Sequence, residues 1–215
     1  MIKAVLFDFD GVIADSLDYA FENLNRILKK FKVKEIKDIK EFRSMKNKTI
    51  MDFFKKYNPS IFKKLLVLIY SFKVFSKNFD PDLKYGIKSL VKELNKKGIK
   101  LIIISNNFKS VIKKVLKKHD ILKYFNEING SSLFHHKDER IRNILKKHKL
   151  KPNECVFITD GVDDIEYAQR IKGLKIIGVC DGFSTEEDII YNNPEYFAKS
   201  TKELSEILNK ILNIK

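Results

Sequence analysis

The sequence lacks an apolar stretch long enough to cross a lipid bilayer. Its longest uncharged apolar run, residues 65–72, is much shorter than the roughly 20 residues that a membrane-spanning helix needs. The first residues pass from apolar side chains directly into aspartates without a small-residue cleavage site, so we expect no signal peptide. The sequence therefore predicts a soluble protein with no membrane partner.

Cysteine is scarce as well. Cys155 and Cys180 are the only two, they lie in apolar strand-like segments, and they do not have CxxC spacing. This usage excludes a disulfide framework and is typical of reduced core residues. We therefore expect a cytoplasmic protein.

Acidic residues are outnumbered, and the 43 Lys and Arg residues against 28 Asp and Glu give a net charge of +15. The lysines are spread singly or in pairs, and no zinc-finger, helix-turn-helix or RNP pattern accompanies them. The charge alone does not favour a nucleic-acid partner, although a positive field would concentrate small anions near the protein. The length of 215 residues and 44% hydrophobic content suit one large domain, or a core with a smaller insert.

The most informative segment present follows the first apolar stretch. Residues 2–7 read as a buried strand, and Asp8, Asp10 and Gly11 come directly after it. Charges at the end of a buried strand cost free energy unless they are paired or bind a metal. Side chains two residues apart in an extended chain point the same way, and Gly11 allows a sharp turn that brings its N–H close to a ligand. An ordinary turn rich in Asp and Gly is the alternative interpretation.

Helical patterns and apolar strands alternate over the second half of the chain. Residues 100–104 form a predicted strand that ends in Ser105 and Asn106, and residues 154–158 form another that leads to Asp160. We interpret residues 174–179 as the last strand, followed by a closing helix. This alternation predicts a parallel sheet, whose ligands collect beyond the carboxyl ends of the strands. Ser105 could hold a phosphate oxygen there, or simply cap the next helix.

A second acidic cluster lies at the 154–158 strand end. Asp160 and Asp164 are four residues apart at the start of a predicted helix, so both can point back towards the strand ends. Carboxylates in a first helical turn also interact favourably with the helix dipole, which is the structural alternative. The adjacent His135 and His136 do not have zinc-ligand spacing, so we interpret them as loop residues before Lys137.

Residues 16–79 contain no strand pattern and predict a helical insert after the first strand. The insert holds sixteen Lys and Arg residues against six Asp and Glu, and nine of the seventeen phenylalanines. A helical bundle with a phenylalanine core and a lysine surface explains most of this composition. A basic lid over an acidic site would suit an anionic substrate, so Arg43, Lys46 and Lys48 are candidate substrate contacts.

Four short motifs in one order resemble the haloacid dehalogenase superfamily of phosphohydrolases. They are Asp8-x-Asp10-Gly11-Val12, Ser105-Asn106, Lys137 and Asp160-x-x-x-Asp164-Ile165, and the resemblance spans the whole chain. It is closest to the phosphoglycolate phosphatase-like and β-phosphoglucomutase-like branch. It implies an α/β fold with a doubly wound, Rossmann-like parallel sheet. Residues 1–15 and 80–215 would form this core, and residues 16–79 an all-helical cap domain.

The resemblance also implies the role of each motif. Asp8 would be the nucleophile that forms an aspartyl-phosphate, and Asp10 the general acid and base. Asp8, the Asp10 main-chain carbonyl, Asp160 and Asp164 would hold Mg²⁺, with Asp163 as a competitor for the last place. Ser105 and Lys137 would bind the transferring phosphoryl oxygens, together with Gly11 and Asn106. The implied activity is hydrolysis of a small, anionic, phosphorylated metabolite.

Two further functions stay open on the sequence alone. A phosphomutase would return the phosphoryl group to a sugar, although Thr159 replaces the acidic residue that such enzymes often carry there. A catalytically idle protein that binds a phosphorylated ligand or a nucleic acid is the alternative from another class. Substrate identity and oligomeric state do not follow from the sequence. Two residues depart from the general family pattern. The same Thr159 replaces the usual glycine before Asp160, and Asp138 replaces the usual proline after Lys137.

Overall fold

A computed structural model describes residues 1–45, 50–77, 79–131 and 136–212. The strands are β1 Ala4–Phe7, β2 Ala14–Asp15, β3 Asp82–Leu83, β4 Lys100–Ile104, β5 Glu127–Asn129, β6 Cys155–Thr159, β7 Lys175–Val179 and β8 Tyr196–Ala198. The helices are α1 Leu17–Lys30, α2 Ile39–Ser44, α3 Ile50–Tyr57, α4 Ile61–Lys77, α5 Ile87–Lys96, α6 Lys109–Lys118, α7 Lys137–His148, α8 Val162–Gln169, α9 Glu186–Tyr191 and α10 Thr201–Ile211.

Six strands form one parallel sheet in the order β5-β4-β1-β6-β7-β8. The first strand lies in the interior of the sheet, where Phe7 pairs with Ile103 of β4 on one side and with Ile158 of β6 on the other. The chain moves outwards from β1 in both directions, which creates a topological switch point at the carboxyl end of β1. The predicted α/β fold with a doubly wound parallel sheet is confirmed.

Alternate side chains of β1 enter two different apolar clusters. Val5 and Phe7 pack with residues of α5, α6 and α10 on one face, whereas Ala4 and Leu6 pack with residues of α7, α8 and α9 on the other. This is why the strand reads as a continuous apolar run rather than an alternating one. Full burial of each large side chain contributes about 1.5–3 kcal/mol, so the strand ends are held rigidly.

Helices α1 to α4 pack around an apolar cluster of their own, which includes Leu28, Phe42 and Phe53. The chain leaves the sheet for these helices through β2 and returns through β3, and the two short strands pair antiparallel. We call α1 to α4 and their connections, within residues 16–79, the helical segment. The structure thus places the predicted helices between the first strand and the rest of the sheet.

The phenylalanine core expected for this segment is only partly present. Phe42, Phe53 and Phe54 are buried, but α4 carries a row of exposed apolar side chains on its outer face. These are Ile61, Phe62, Leu65, Leu68, Ile69 and Phe72. No helix within the described ranges is both long and apolar enough to span a bilayer.

The sequence interpretation missed the edge of the sheet beyond β7. We took residues 174–179 as the last strand, which is wrong, because β8 pairs with β7 through Gly178 and Phe197. The short β8 contains only three residues and follows the six-residue helix α9. Neither element is long enough to produce a clear periodic pattern.

Candidate active site

Three polar residues come directly after three neighbouring strands. Asp8 follows β1, Ser105 follows β4 and Asp160 follows β6, and β1 is the middle strand of the three. Because parallel strands end at the same edge of a sheet, these side chains lie together at the switch point. All three are buried, with relative exposures of 8%, 1% and 3%. The structure therefore brings together the groups that the strand ends had suggested.

Lys137 lies between two carboxylates. It is the first residue of α7 and is buried, and its Nζ donates to Oδ2 of Asp8 at 2.6 Å and to Oδ2 of Asp164. Burial by itself lowers the pKa of a lysine, but the charges of Asp164 and Asp8 outweigh it and raise the pKa of Lys137 above its usual value. The amine is therefore protonated at neutral pH.

Both carboxylate oxygens of Asp8 are held. Oδ1 accepts a hydrogen bond from the N–H of Phe9 at 2.6 Å, and Oδ2 accepts one from Lys137. Burial raises the pKa of Asp8 well above its usual value, the Lys137 charge opposes this rise, and the charges of Asp164 and Asp160 add to it. A desolvated carboxylate of fixed orientation is a suitable nucleophile.

Asp10 has a different environment from Asp8. Its Oδ1 accepts a hydrogen bond from the Ser16 hydroxyl at 2.9 Å, and its Oδ2 accepts one from Nδ2 of Asn107 at 3.3 Å. Burial raises the pKa of Asp10, and the two hydrogen bonds limit that rise. A carboxyl group with a raised pKa is suited to exchange protons near neutral pH. Ser16 is the residue before α1, but its side chain makes no capping bond to that helix.

Main-chain atoms surround the carboxylate of Asp160. Its Oδ2 accepts a hydrogen bond from the N–H of Phe183 at 2.6 Å. A Cβ atom added to Gly11 would lie 1.9 Å from this Oδ2, and one added to Gly182 would lie 2.2 Å from it. Burial raises the pKa of Asp160 to about 7, although the Phe183 N–H acts in the opposite direction. Only glycine at positions 11 and 182 allows this close approach.

The N–H of Gly11, a predicted phosphate donor, makes a hydrogen bond within the turn after β1. This N–H donates to the carbonyl oxygen of Ala14 at 3.0 Å, so this group stabilises the turn and is engaged within the protein. The backbone of Gly11 has a φ of +72°, which favours glycine strongly over other residues. Gly11 thus shapes the turn and makes room for Asp160.

Arg140 ties together the ends of β4 and β5. It is buried, and its guanidinium donates five hydrogen bonds, all to carbonyl or amide oxygens. The acceptors are the main-chain oxygens of Ser105, Asn129 and Gly130 and the side chains of Asn106 and Asn129. Burial lowers the pKa of Arg140 from its usual value, but a guanidinium stays charged at neutral pH. The loop that contains Ser105 is therefore rigid and lies next to a buried positive charge.

The hydroxyl of Ser105 belongs to this loop. Its Oγ accepts a hydrogen bond from the N–H of Asn107 at 3.0 Å, and a hydroxyl that accepts in this way can still donate its hydrogen. The helix-cap interpretation is wrong, because α6 begins at Lys109 with Phe108 at its N-cap. Asn106 accepts from Arg140 and thus helps to fix the same loop.

Asp164, rather than Asp163, faces the buried cluster. Its Oδ2 accepts from Lys137 and, at 3.0 Å, from the Thr159 hydroxyl. Thr159 in turn accepts a hydrogen bond from the N–H of Gly161. The threonine that replaces the usual glycine before Asp160 therefore positions Asp164, and Asp163 is only half-buried.

The charges at the site suit a divalent cation. Asp8, Asp10, Asp160 and Asp164 provide four carboxylates against the two positive charges of Lys137 and Arg140. Buried excess negative charge is costly until protons or a cation neutralise it, and an all-oxygen set favours Mg²⁺. Among the described residues, no three His, Cys, Asp or Glu side chains form a metal site by themselves. The implied ligand set also uses the Asp10 main-chain carbonyl and water.

Of the three basic candidates for substrate contact in the helical segment, the structure describes Arg43. Arg43 lies on α2, and its buried Nε has no hydrogen-bond partner among the residues that the structure describes. The neighbouring Phe42 packs against Phe183 with ring centroids 6.1 Å apart, next to the Asp160 loop. Lys46 and Lys48 lie outside the described residues, as does His135, while His136 stacks on Tyr167.

Sequence reasoning missed three residues of this site. Ser16 and Asn107 orient Asp10, and Arg140 fixes the Ser105 loop. Asn107 directly follows the Ser105-Asn106 motif, so its position was a usable signal. Arg140 had no such signal, because one arginine among 43 basic residues looks like part of a solvated helix face.

Comparison with known proteins identifies the family to which this arrangement belongs. The family model of haloacid dehalogenase-like hydrolases matches residues 5–179, which include every strand-end residue described above. The chain belongs to the haloacid dehalogenase-like hydrolases. The resemblance stated from the four motifs is thereby confirmed.

Two relatives and one solved structure illustrate the similarity. Phosphoglycolate phosphatase from Vibrio parahaemolyticus is 27% identical over 125 residues, 57% of this chain and 54% of that protein. Phosphoglycolate phosphatase from Synechococcus elongatus is 21% identical over 98% of this chain and 99% of its own length. A haloacid dehalogenase-like hydrolase from Streptococcus pneumoniae superposes with a TM-score of 0.83 at 24% identity, covering 96% of this chain and 98% of its own. The match thus spans about half of the Vibrio enzyme and nearly all of the others.

Proposed function

We propose that this haloacid dehalogenase-like hydrolase is a Mg²⁺-dependent phosphatase that hydrolyses a small phosphorylated metabolite through an aspartyl-phosphate on Asp8. The observation that carries the proposal is the pair of carboxylates after β1. Asp8 is anchored by Lys137, while Asp10 is oriented separately by Ser16 and Asn107. The relatives named phosphoglycolate phosphatase support the same reaction class.

In the first step, a carboxylate oxygen of Asp8 attacks the phosphorus atom of the substrate. The bond between phosphorus and the ester oxygen breaks, and Asp10 donates its proton to the leaving alcohol. The raised pKa of Asp10 keeps a proton available for this transfer. The product is an acyl phosphate on Asp8, so one difficult displacement is divided into two easier ones.

In the second step, the now ionised Asp10 takes a proton from a water molecule. The water oxygen attacks the phosphorus, the bond to the Asp8 carboxylate breaks, and inorganic phosphate leaves. Asp8 and the protonated Asp10 are regenerated. Because Ser16 and Asn107 hold both oxygens of Asp10, the same group can act from one position in both steps.

The surrounding cations suit a transferring phosphoryl group. Lys137 lies against Asp8 and would neutralise negative charge on the phosphoryl oxygens, and the Ser105 hydroxyl would donate to one of them. Asp8, Asp160, the Asp10 carbonyl and, directly or through water, Asp164 would hold Mg²⁺, which when bound supplies charge neutralisation for the phosphoryl oxygens. Arg140 adds positive charge from behind the Ser105 loop.

The helical segment would act as a cap domain over this site, with residues 1–15 and 80–215 as the core. The chain enters and leaves this segment through the antiparallel pair of β2 and β3, which we call the hairpin although the helical segment lies between its two strands, so two chain crossings connect the two parts. The buried Nε of Arg43, which has no partner within the described ranges, is a candidate donor to the anionic substrate. Lys46 and Lys48 stay candidate contacts from the sequence.

Phosphate release from a panel of phosphomonoesters, with Mg²⁺ and with a chelator, tests the proposal. We expect metal-dependent release by the wild type and none above background by Asp8→Asn. Asp18→Asn, an exposed carboxylate on α1, is the matched control and should retain wild-type release. Release that Asp8→Asn leaves unchanged would contradict the nucleophile assignment.

The same assay separates the two alternative functions. A phosphomutase would yield an isomeric sugar phosphate without stoichiometric free phosphate. An idle binding protein would bind phosphorylated ligands or oligonucleotides without turnover, and Asp8→Asn would leave that binding intact. Either result would replace the phosphatase assignment.

A further inference from the structure

The hairpin that connects the helical segment to the sheet carries a buried lysine. Lys84 immediately follows β3, and its N–H donates to the carbonyl oxygen of Ile13 at 2.9 Å, so it extends the hairpin by one residue. Its side chain is only 10% exposed. A lysine is rarely buried without partners, so its contacts at this position call for an explanation.

The ammonium group of Lys84 reaches from the hairpin to the loop after β7. Its Nζ donates to the main-chain oxygen of Asp181 at 2.5 Å, and it lies 3.2 Å from Oδ2 of Asp181 and 3.6 Å from Oδ1 of Asp15. Oδ1 of Asp181 is buried and has no hydrogen-bond partner in the described part of the chain. The charge of Lys84 therefore helps to compensate the partly exposed carboxylate of Asp181.

The loop that Lys84 holds is the loop that contacts Asp160. The N–H of Phe183 donates to Oδ2 of Asp160 at 2.6 Å, and Gly182 lies too close to this oxygen to accept a Cβ atom. The ring of Phe183 also packs on Phe42 of α2. The three residues 181–183 thus contact the hairpin, the helical segment and a proposed metal ligand.

We propose that Lys84 is a positioning residue that holds residues 181–183, and through them the Asp160 carboxylate, in the arrangement that binds the metal. The inference rests on the proposed function, in which Asp160 is a Mg²⁺ ligand. The effect of Lys84 on Asp160 is indirect, because its side chain contacts Asp181 and Asp15 and reaches Asp160 only through residues 181–183. Its hydrogen bond to a main-chain oxygen fixes the path of the loop, while its charge holds Asp181. Through Lys84, the position of the hairpin and the affinity of the metal site are coupled.

Metal binding by the full chain in the absence of substrate tests this role. The variant Lys84→Met keeps most of the side-chain stem and removes the charge and the hydrogen bond. Isothermal titration with Mg²⁺ should show a dissociation constant about tenfold higher than that of the wild type, equivalent to about 1.4 kcal/mol. At saturating Mg²⁺, kcat should stay within about twofold of the wild type, because no reacting group has changed.

Three further variants make the result specific. Lys97→Met removes a lysine that pairs with Glu93 at a distance from the site, and it should bind Mg²⁺ as the wild type does. Lys84→Arg retains the charge and should recover part of the lost affinity. Gly182→Ala, which places a methyl group against Asp160 while Lys84 is intact, should weaken Mg²⁺ binding at least as much as Lys84→Met.

The possible failures are distinguishable. Wild-type affinity for Mg²⁺ in a folded Lys84→Met variant would overturn the role of Lys84 and leave the phosphatase proposal in place. A wild type that neither binds Mg²⁺ nor releases phosphate would overturn both. If Lys84→Met does not fold, Lys84→Gln takes its place, and the same two results decide.

Discussion

The hydroxyl of Ser16 donates a hydrogen bond to Oδ1 of Asp10 at 2.9 Å. Ser16 is the residue before α1, the first helix of the helical segment, whereas Asp10 belongs to the turn after β1. The orientation of the proposed general acid and base therefore depends on where the helical segment begins. A serine at a position that often caps a helix holds the proposed catalytic carboxylate here.

Removal of the Ser16 hydroxyl should affect Asp10 and little else. We expect Ser16→Ala to lower kcat about tenfold, because Asp10 loses one of its two side-chain hydrogen bonds. Asp10→Asn should lower kcat by about 10²–10⁴, since it removes the proton donor itself. Steady-state kinetics of both variants check this order. Equal losses in the two variants would show that Ser16 does more than orient Asp10.

Arg140 should contribute to both stability and substrate binding. Arg140→Met would leave buried oxygen atoms of the Ser105 loop without their hydrogen-bond donor, and we expect it to lower the free energy of unfolding by about 3 kcal/mol. Loss of the nearby positive charge and of loop order should raise KM about tenfold. Urea unfolding and steady-state kinetics measure the two effects. Arg142→Met, on the exposed side of the same helix, is the matched control and should change neither quantity appreciably.

Metal-free protein should lose stability as the pH rises. The pKa of Asp160 is about 7 when folded against a usual value of 3.8, so the folded state binds this proton more tightly than the unfolded state does. Stability is therefore greatest below about pH 4, falls between pH 4 and 7, and is constant above that range, as far as this group is concerned. The total effect is about 4 kcal/mol, at 1.36 kcal/mol per pKa unit.

Urea unfolding in a chelator across this pH range measures the effect. Asp160→Asn should reduce the pH dependence and stabilise the metal-free protein at pH 8, because it removes a buried charge. Added Mg²⁺ should restore stability to the wild type at pH 8, since a bound cation favours the ionised carboxylate. A metal-free wild type that gains stability from pH 4 to 7 would contradict this account of Asp160.

The basic candidates of the helical segment should act on substrate binding. We expect Arg43→Ala to raise KM about tenfold and to lower kcat by less, because it would contact the substrate and not the reacting bond. Truncation of Lys46 or Lys48 should have the same direction of effect. Kinetics on the best substrate of the panel measure both constants. Unchanged kinetics in all three variants would remove the basic lid from the model.

Much of the fold and of the site followed from the sequence because strand ends are marked by local pattern. The strands β1, β4 and β6 each contain a run of buried apolar residues, and the polar residues after these runs identify the site edge. Short elements such as β8 were missed because three residues contain too little periodicity. Arg140 and Lys84 were missed because their roles arise from contacts between residues far apart in the chain.

The most direct test of the central claim is to look for a phosphoryl group on Asp8 during turnover. Wild-type protein is mixed with its best substrate and Mg²⁺, quenched in acid, digested with protease and analysed by mass spectrometry. We predict that the peptide containing Asp8 gains the mass of one phosphoryl group in the wild type and not in Asp8→Asn. Rapid turnover by the wild type with no phosphorylated Asp8 at any quench time would contradict the account.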